Sequence, residues 1–226
     1  MNLRNSNADH FAWLSQSNSK PFKKNRPLQI MIIVFVIVWI ITAINPVKLR
    51  DWLLDNLLLW VCIGILAFLY RKFAFSNISY FFITLFLILH AIGAHYTYQQ
   101  TPFDDWMNFL GHTKRDMYDR VVHFAFGLLL ALPVLEIVVR VMKLRSIWSY
   151  VVTFAILLAS GAFFEILELL VALAAGAQGE KYLGLQGDPM DTAKDMAMHV
   201  IGALPALGLI GWYSYRQHNK GKKDFV

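Results

Sequence analysis

Aspartates and histidines are spaced in this chain so that they stack along two helix faces. Asp188, Asp191, Asp195 and His199 follow one another at intervals of 3, 4 and 4, and Asp116, Asp119 and His123 at intervals of 3 and 4, which puts each set on one stripe of an α-helix. Glu165 and Glu168 form a further i, i+3 pair within an otherwise apolar run. A charge in hydrocarbon costs roughly 2.5–3.5 kcal/mol at mid-helix on insertion scales, so such groups in apolar segments mark a site. The helix dipole offers a plainer account of acids in a first turn, worth about 0.3–1 kcal/mol. It covers Asp116, Asp188 and Asp191 better than Asp195, and it does nothing for His123 and His199.

Three chemistries suit these groups. Imidazole and carboxylate ligate a divalent metal such as Zn or Mn, which lowers the pKa of bound water for hydrolysis. Without metal, Arg115, Arg120 and a histidine bind a phosphate headgroup while a carboxylate acts as general base. The same groups can also relay protons in a carrier. The expected centre is His123, Glu165, Glu168, Asp195 and His199, as catalytic groups or as metal ligands. His95, Arg115, Asp119, Arg120 and Asp191 surround it as substrate-binding groups. No H-E-x-x-H or G-x-S-x-G sequence sharpens the choice.

The elements that must position these residues are membrane helices. Of 226 residues, 57% are hydrophobic and 16% charged, and the mean hydropathy is +0.47, values of a polytopic membrane protein rather than a soluble domain. About 20 apolar residues cross a hydrocarbon core of roughly 30 Å, and six stretches qualify: Leu28 to Asn45, Trp52 to Tyr70, Ile78 to Tyr96, Arg120 to Val139, Ile147 to Ala175 and Thr192 to Tyr215. The fold class is therefore an all-α bundle of six transmembrane helices. Residues 1–27 read as a mostly disordered basic tail, 28–215 as the membrane domain and 216–226 as a second basic tail. The single cysteine, Cys62, excludes an intrachain disulfide and a thiol-ligated cluster.

Orientation follows from the basic residues of alternate loops. The side that holds both termini carries 14 lysines and arginines and the other side 7. Both termini are expected in the cytoplasm, with the acidic and histidine groups facing outward, toward the periplasm if the host is Gram-negative. The net charge of +6 is dispersed over loops and needs no nucleic-acid partner. Two outward loops matter: Thr97 to Asp119, with Trp106 and Phe109 at the lipid interface, and Gly176 to Asp191, where Asp188 and Pro189 form a helix start signal. His90 reads as a hydrogen-bonded packing residue, and Gly93, Gly127, Gly161 and Gly202 as points of close helix approach. Glu136 is expected to pair with Arg140 and snorkel.

The chain resembles the YjdF family of bacterial inner-membrane proteins in His90-x-x-Gly93-Ala94-His95-Tyr96-Thr97-Tyr98, Arg115-Asp116-x-x-Asp119-Arg120-x-x-His123-Phe124, Glu165-x-x-Glu168 and the segment from Tyr182 through Gly187-Asp188 and Asp191-Thr192 to Asp195-Met196. That resemblance implies a topology and not an activity. More distantly, Asp119-Arg120-x-x-His123, Glu165-x-x-Glu168 and Asp195-x-x-x-His199-x-x-Gly202 are similar to the pattern of VanZ-like proteins, with Glu168 in place of glutamine and His199 in place of asparagine. Both departures make this version more ionisable and more metal-competent. The leading expectation is a site that binds an anionic amphiphile or cell-envelope precursor, with metal-dependent hydrolysis or transfer as its enzymatic form. A small transporter would need a polar path to the other face, for which only Glu136 and Thr153 offer material. A structural or assembly protein would need a fully paired cluster.

Overall fold

The computed structural model describes residues 11–15, 21–111, 117–175 and 190–223. Among them the secondary structure is helical: α1 (Arg26–Ala43), α2 (Leu49–Leu69), α3 (Asn77–His95), α4 (Pro102–Phe109), α5 (Tyr118–Arg140), α6 (Ile147–Ala175) and α7 (Asp191–Lys223). All but α4 are long and apolar enough to cross a membrane, at the places the hydropathy predicts. Most large apolar side chains of α1 and α2 are exposed, as expected of helices whose outer surface is solvated by lipid. Burial concentrates instead on α5, which packs against α3, α6 and α7.

Small residues set that packing. Between helices in lipid, close backbone approach replaces the hydrophobic drive, and Gly127 and Ala131 of α5 meet Ala203 and Ala206 of α7. A Cβ on Gly127 would overlap the His199 carbonyl, and one on Gly202 would overlap the Phe124 carbonyl. The two helices run in the same direction and touch through backbone.

Local sequence explains where the helices begin. Ser76 caps α3 by accepting from Ser79 N at 3.2 Å, and Asn25 with Pro27 starts α1. α4 opens with a capping box: Asp104 N donates to Thr101 Oγ1 at 3.2 Å, and Thr101 N donates to Asp104 Oδ2 at 3.3 Å. The other oxygen of Asp104 accepts from Met117 N at 2.5 Å and Tyr118 N at 3.0 Å, so one buried carboxylate caps α4 and α5 together. Asp104→Ala leaves three backbone donors, of Thr101, Met117 and Tyr118, without their acceptor and is expected to lower stability by about 2–3 kcal/mol. Denaturation of the detergent-solubilised variant measures this, and a loss below 0.5 kcal/mol would show that the double cap contributes little.

Three features depart from the sequence reading. Glu136 does pair with Arg140, but it is 1% exposed and does not snorkel. Its carboxylate accepts from Ser76 N at 2.9 Å and Ser79 Oγ at 2.6 Å, bonds that hold it inside the bundle. Residues 11–15, placed by sequence in a mostly disordered tail, include the turn Ala12–Ser15. Phe11 and Leu14 pack there on Leu132, Leu135 and Val139, and Trp13 Nε1 donates to Ser214 Oγ at 3.1 Å. α7 continues as helix to Lys223, because arginine, glutamine and lysine are good helix formers outside the membrane.

Candidate functional site

The chemistry-bearing residues converge at one end of the bundle, where α5 and α7 start and α6 ends. His123 is one turn into α5 from Asp119, and its Nε2 lies 3.4 Å from Asp119 Oδ1. On the other side of the ring, Nδ1 is 3.0 Å from His199 Nε2 of α7 and 3.5 Å from Glu165 Oε1 of α6. One of the two facing nitrogens carries the proton shared by the histidines. The contact of α5 with α7 fixes this pair: His123 neighbours Phe124, whose carbonyl faces Gly202, while the His199 carbonyl faces Gly127. Gly161 of α6 clears the space filled by the His199 ring, which a Cβ there would strike. Phe164 and Phe126 flank the two imidazoles edge-on and tilted.

Arg120 occupies the neighbouring position. Its Nη2 donates to Asp191 Oδ1 at 3.1 Å, and its Nε lies 3.7 Å from Asp195 Oδ1. The sequence reading assigns this arginine to an incoming anion, whereas the structure turns it toward the carboxylates of α7. Asp195 is 3% exposed, and its Oδ1 has no hydrogen-bond partner. His199 Nδ1 is likewise buried without one. Buried polar atoms of this kind are uncommon and call for an explanation.

Of the expected residues, His123, Glu165, Asp195, His199, Asp119, Arg120 and Asp191 meet here. Glu168 lies one turn further along α6 and is half-buried. His95 lies apart, donating from Nδ1 to the Thr42 carbonyl at 2.8 Å and tying α3 to the end of α1. Arg115, His112 and Asp116, like Asp188, Pro189 and the glycines of that loop, fall outside the described residues.

A cavity of about 320 Å³ leads away from the site. Asp119, His123, His199, His90 and Tyr98 form its polar end, and the wall toward Pro133, Val134 and Ile137 is apolar, built from α2, α3 and α5. Asp119 and Ile137 are 18 residues apart on one helix, about 27 Å at 1.5 Å per residue. Sequence reasoning missed Tyr98 as part of this end. Its hydroxyl donates to His90 Nδ1 at 2.6 Å, since His90 Nε2 carries the proton given to the Asp55 carbonyl at 3.1 Å. Burial first, and then the carboxylates of Asp55, Asp119 and Glu168, hold its phenol well above the ordinary tyrosine range. Tyr98 thus stays neutral and remains a donor. Thr97 and Tyr98 both adopt left-handed φ, 56° and 57°, a geometry invisible in residue type, and the space opposite Gly93 receives the Tyr98 ring.

The family model described as "Predicted membrane protein (DUF2238)" matches residues 27–217. The inner membrane protein YjdF of Escherichia coli (strain K12) is 29% identical over 191 residues, which cover 82% of this chain and 89% of that protein. No solved structure matches the chain.

Proposed function

The chain belongs to the DUF2238 family of predicted membrane proteins, and on that premise we propose that it binds an anionic amphiphile, a lipid or a cell-envelope precursor, with the tail in the apolar cavity and the headgroup at the histidine and carboxylate end. In this reading it is an inner-membrane protein like its relative YjdF, with both termini cytoplasmic and the site opening outward, in line with the distribution of lysine and arginine. The observation that carries the reading is the cavity itself. A volume of about 320 Å³ falls within the roughly 300–1,000 Å³ of small-molecule sites. Its wall is almost wholly apolar, which suits an acyl chain, and Asp119, His123, His199 and His90 stand at one end of it, where a headgroup would lie.

The direct contact of His123 and His199 at 3.0 Å favours a second, enzymatic reading, in which this pair moves a proton during hydrolysis or transfer at the headgroup. A proton-coupled carrier draws no support from the cavity wall, where α5 contributes Phe126, Leu130, Pro133 and Val134 and α2 and α3 add further apolar side chains. Glu136 is engaged with serines instead.

The test is the lipid that the purified protein retains. In mixed micelles, phosphatidylglycerol is expected to be retained at least tenfold over diacylglycerol of the same chain length. Val134→Trp, which fills the cavity, is expected to lose that retention while keeping the thermal midpoint. Equal retention of the charged and neutral lipids, or an unchanged complement in Val134→Trp, would overturn the reading.

A further inference from the structure

We infer that Asp119, His123 and Asp195 form a binding site for one divalent cation, Mn²⁺ or Zn²⁺, at the polar end of the cavity. One donor atom from each of the three lies within 4.8 Å of the others. The 3.4 Å between His123 Nε2 and Asp119 Oδ1 is long for an N–H···O bond, which prefers about 2.9–3.0 Å. It matches the roughly 3.3 Å that separates two donors on a tetrahedral ion with bonds of about 2.0–2.1 Å.

A second observation stands apart from the cluster of acids. Asp195 is 3% exposed, its Oδ1 lacks a hydrogen bond, and its ion-pair distance to Arg120 Nε is 3.7 Å. A carboxylate kept in this state has an oxygen to offer a cation. The other face of His123 is arranged as the outer shell of a metal-bound histidine is: Nδ1 meets His199 Nε2 at 3.0 Å and Glu165 Oε1 at 3.5 Å, partners that fix the tautomer and direct Nε2 toward the ion.

Charge points the same way. Asp119, Glu165, Glu168, Asp191 and Asp195 stand at this end beside Arg120, a surplus of negative charge that a bound cation would offset where an anionic headgroup is to lie. A divalent ion on Asp119 and Asp195 cancels their two charges, and three protein ligands leave a position for a headgroup oxygen. This last role rests on the amphiphile reading; the cation site does not.

Protein stripped with a chelator and repurified in detergent is titrated with Mn²⁺ and Zn²⁺, and bound ion is counted after desalting. One ion per chain is expected. Asp119→Asn and Asp195→Asn should each weaken affinity at least a hundredfold, and His199→Ala about tenfold, in line with the 10–100-fold cost of losing an outer-shell partner. Bound Mn²⁺ should show hyperfine coupling to a single imidazole nitrogen, lost in His123→Gln, a signature that misfolding alone cannot mimic in the folded wild type. Val134→Trp should bind the ion as the wild type does. Stoichiometric ion in Val134→Trp whose lipid complement is unchanged sustains the cation site and sinks the amphiphile reading alone. The absence of stoichiometric ion in the wild type, or its retention in both asparagine variants, overturns the cation site, even where lipid selectivity persists.

Discussion

Glu136→Ala is expected to destabilise the bundle by about 3–5 kcal/mol, the range for removing one partner of a buried ion pair. Arg140 would keep its bond to the Ala74 carbonyl at 2.8 Å and its place 4.4 Å over the Phe73 ring, but its charge would stand uncompensated. Ser76 N and Ser79 Oγ would lose their acceptor at the start of α3. Ser79→Ala removes one hydroxyl and should cost only about 1 kcal/mol. Because a buried pair can be exchanged for apolar residues at little cost, Glu136→Leu combined with Arg140→Met should be more stable than Glu136→Leu alone. Unfolding titrations in mixed micelles give all of these values. A double variant less stable than the single would show that the Arg140 bond to the Ala74 carbonyl and its place over Phe73 outweigh the cost of its uncompensated charge.

Gly127→Ala and Gly202→Ala each place a methyl group on a backbone carbonyl of the facing helix. A side chain in the way can rotate; a carbonyl moves only with its helix, so each substitution should cost at least the upper end of the 1–3 kcal/mol typical of overpacking. Separation of α5 from α7 relieves both clashes at once. The double variant should therefore cost clearly less than the sum of the singles, as expected for coupled sites. Gly161→Ala differs in kind, because the obstacle is the His199 ring. It should leave the unfolding midpoint within a few degrees and disrupt the His123–His199 contact, seen as a loss of coupling between their imidazole NMR resonances. Additive costs for Gly127 and Gly202 would refute a single shared contact.

The spans were legible in the sequence because crossing a bilayer demands about 20 apolar residues, a signal long enough to survive local exceptions. Ile147–Ala175 is found with the bounds that hydropathy gives. α4 escapes the sequence reading, which has Thr97 to Asp119 as loop because the segment is too polar to register as a span, although Thr101-Pro102 followed by Asp104 carries a helix-start signal. Its exposed Trp106 and Phe109, the latter 87% exposed, fit the interfacial placement that the residue types suggest. At the site, helical spacing and alternating helix direction were enough to bring His123, Glu165, Asp195 and His199 to one end. Spacing could not reveal that Arg120 turns to Asp191, that His95 faces Thr42, or that the partners of Glu136 are serines 57 and 60 residues away. These depend on rotation of one helix against another, to which a one-dimensional pattern is blind. Tyr98 was out of reach for a different reason, since its position follows from two consecutive left-handed residues.

The bond from Trp13 to Ser214 joins residues 201 positions apart. At a synthesis rate of about 5–20 residues per second, roughly 10–40 s separate their emergence. Until α7 has been translated and inserted, the turn Ala12–Ser15 has no indole acceptor there, and Ile210, the part of its docking surface that α7 supplies, does not yet exist. The bundle can gather its histidines and carboxylates at one end without that turn. Closure of the opposite end therefore waits for α7: a chain arrested earlier can hold Phe11 and Leu14 against α5 but leaves the Trp13 indole without its Ser214 partner.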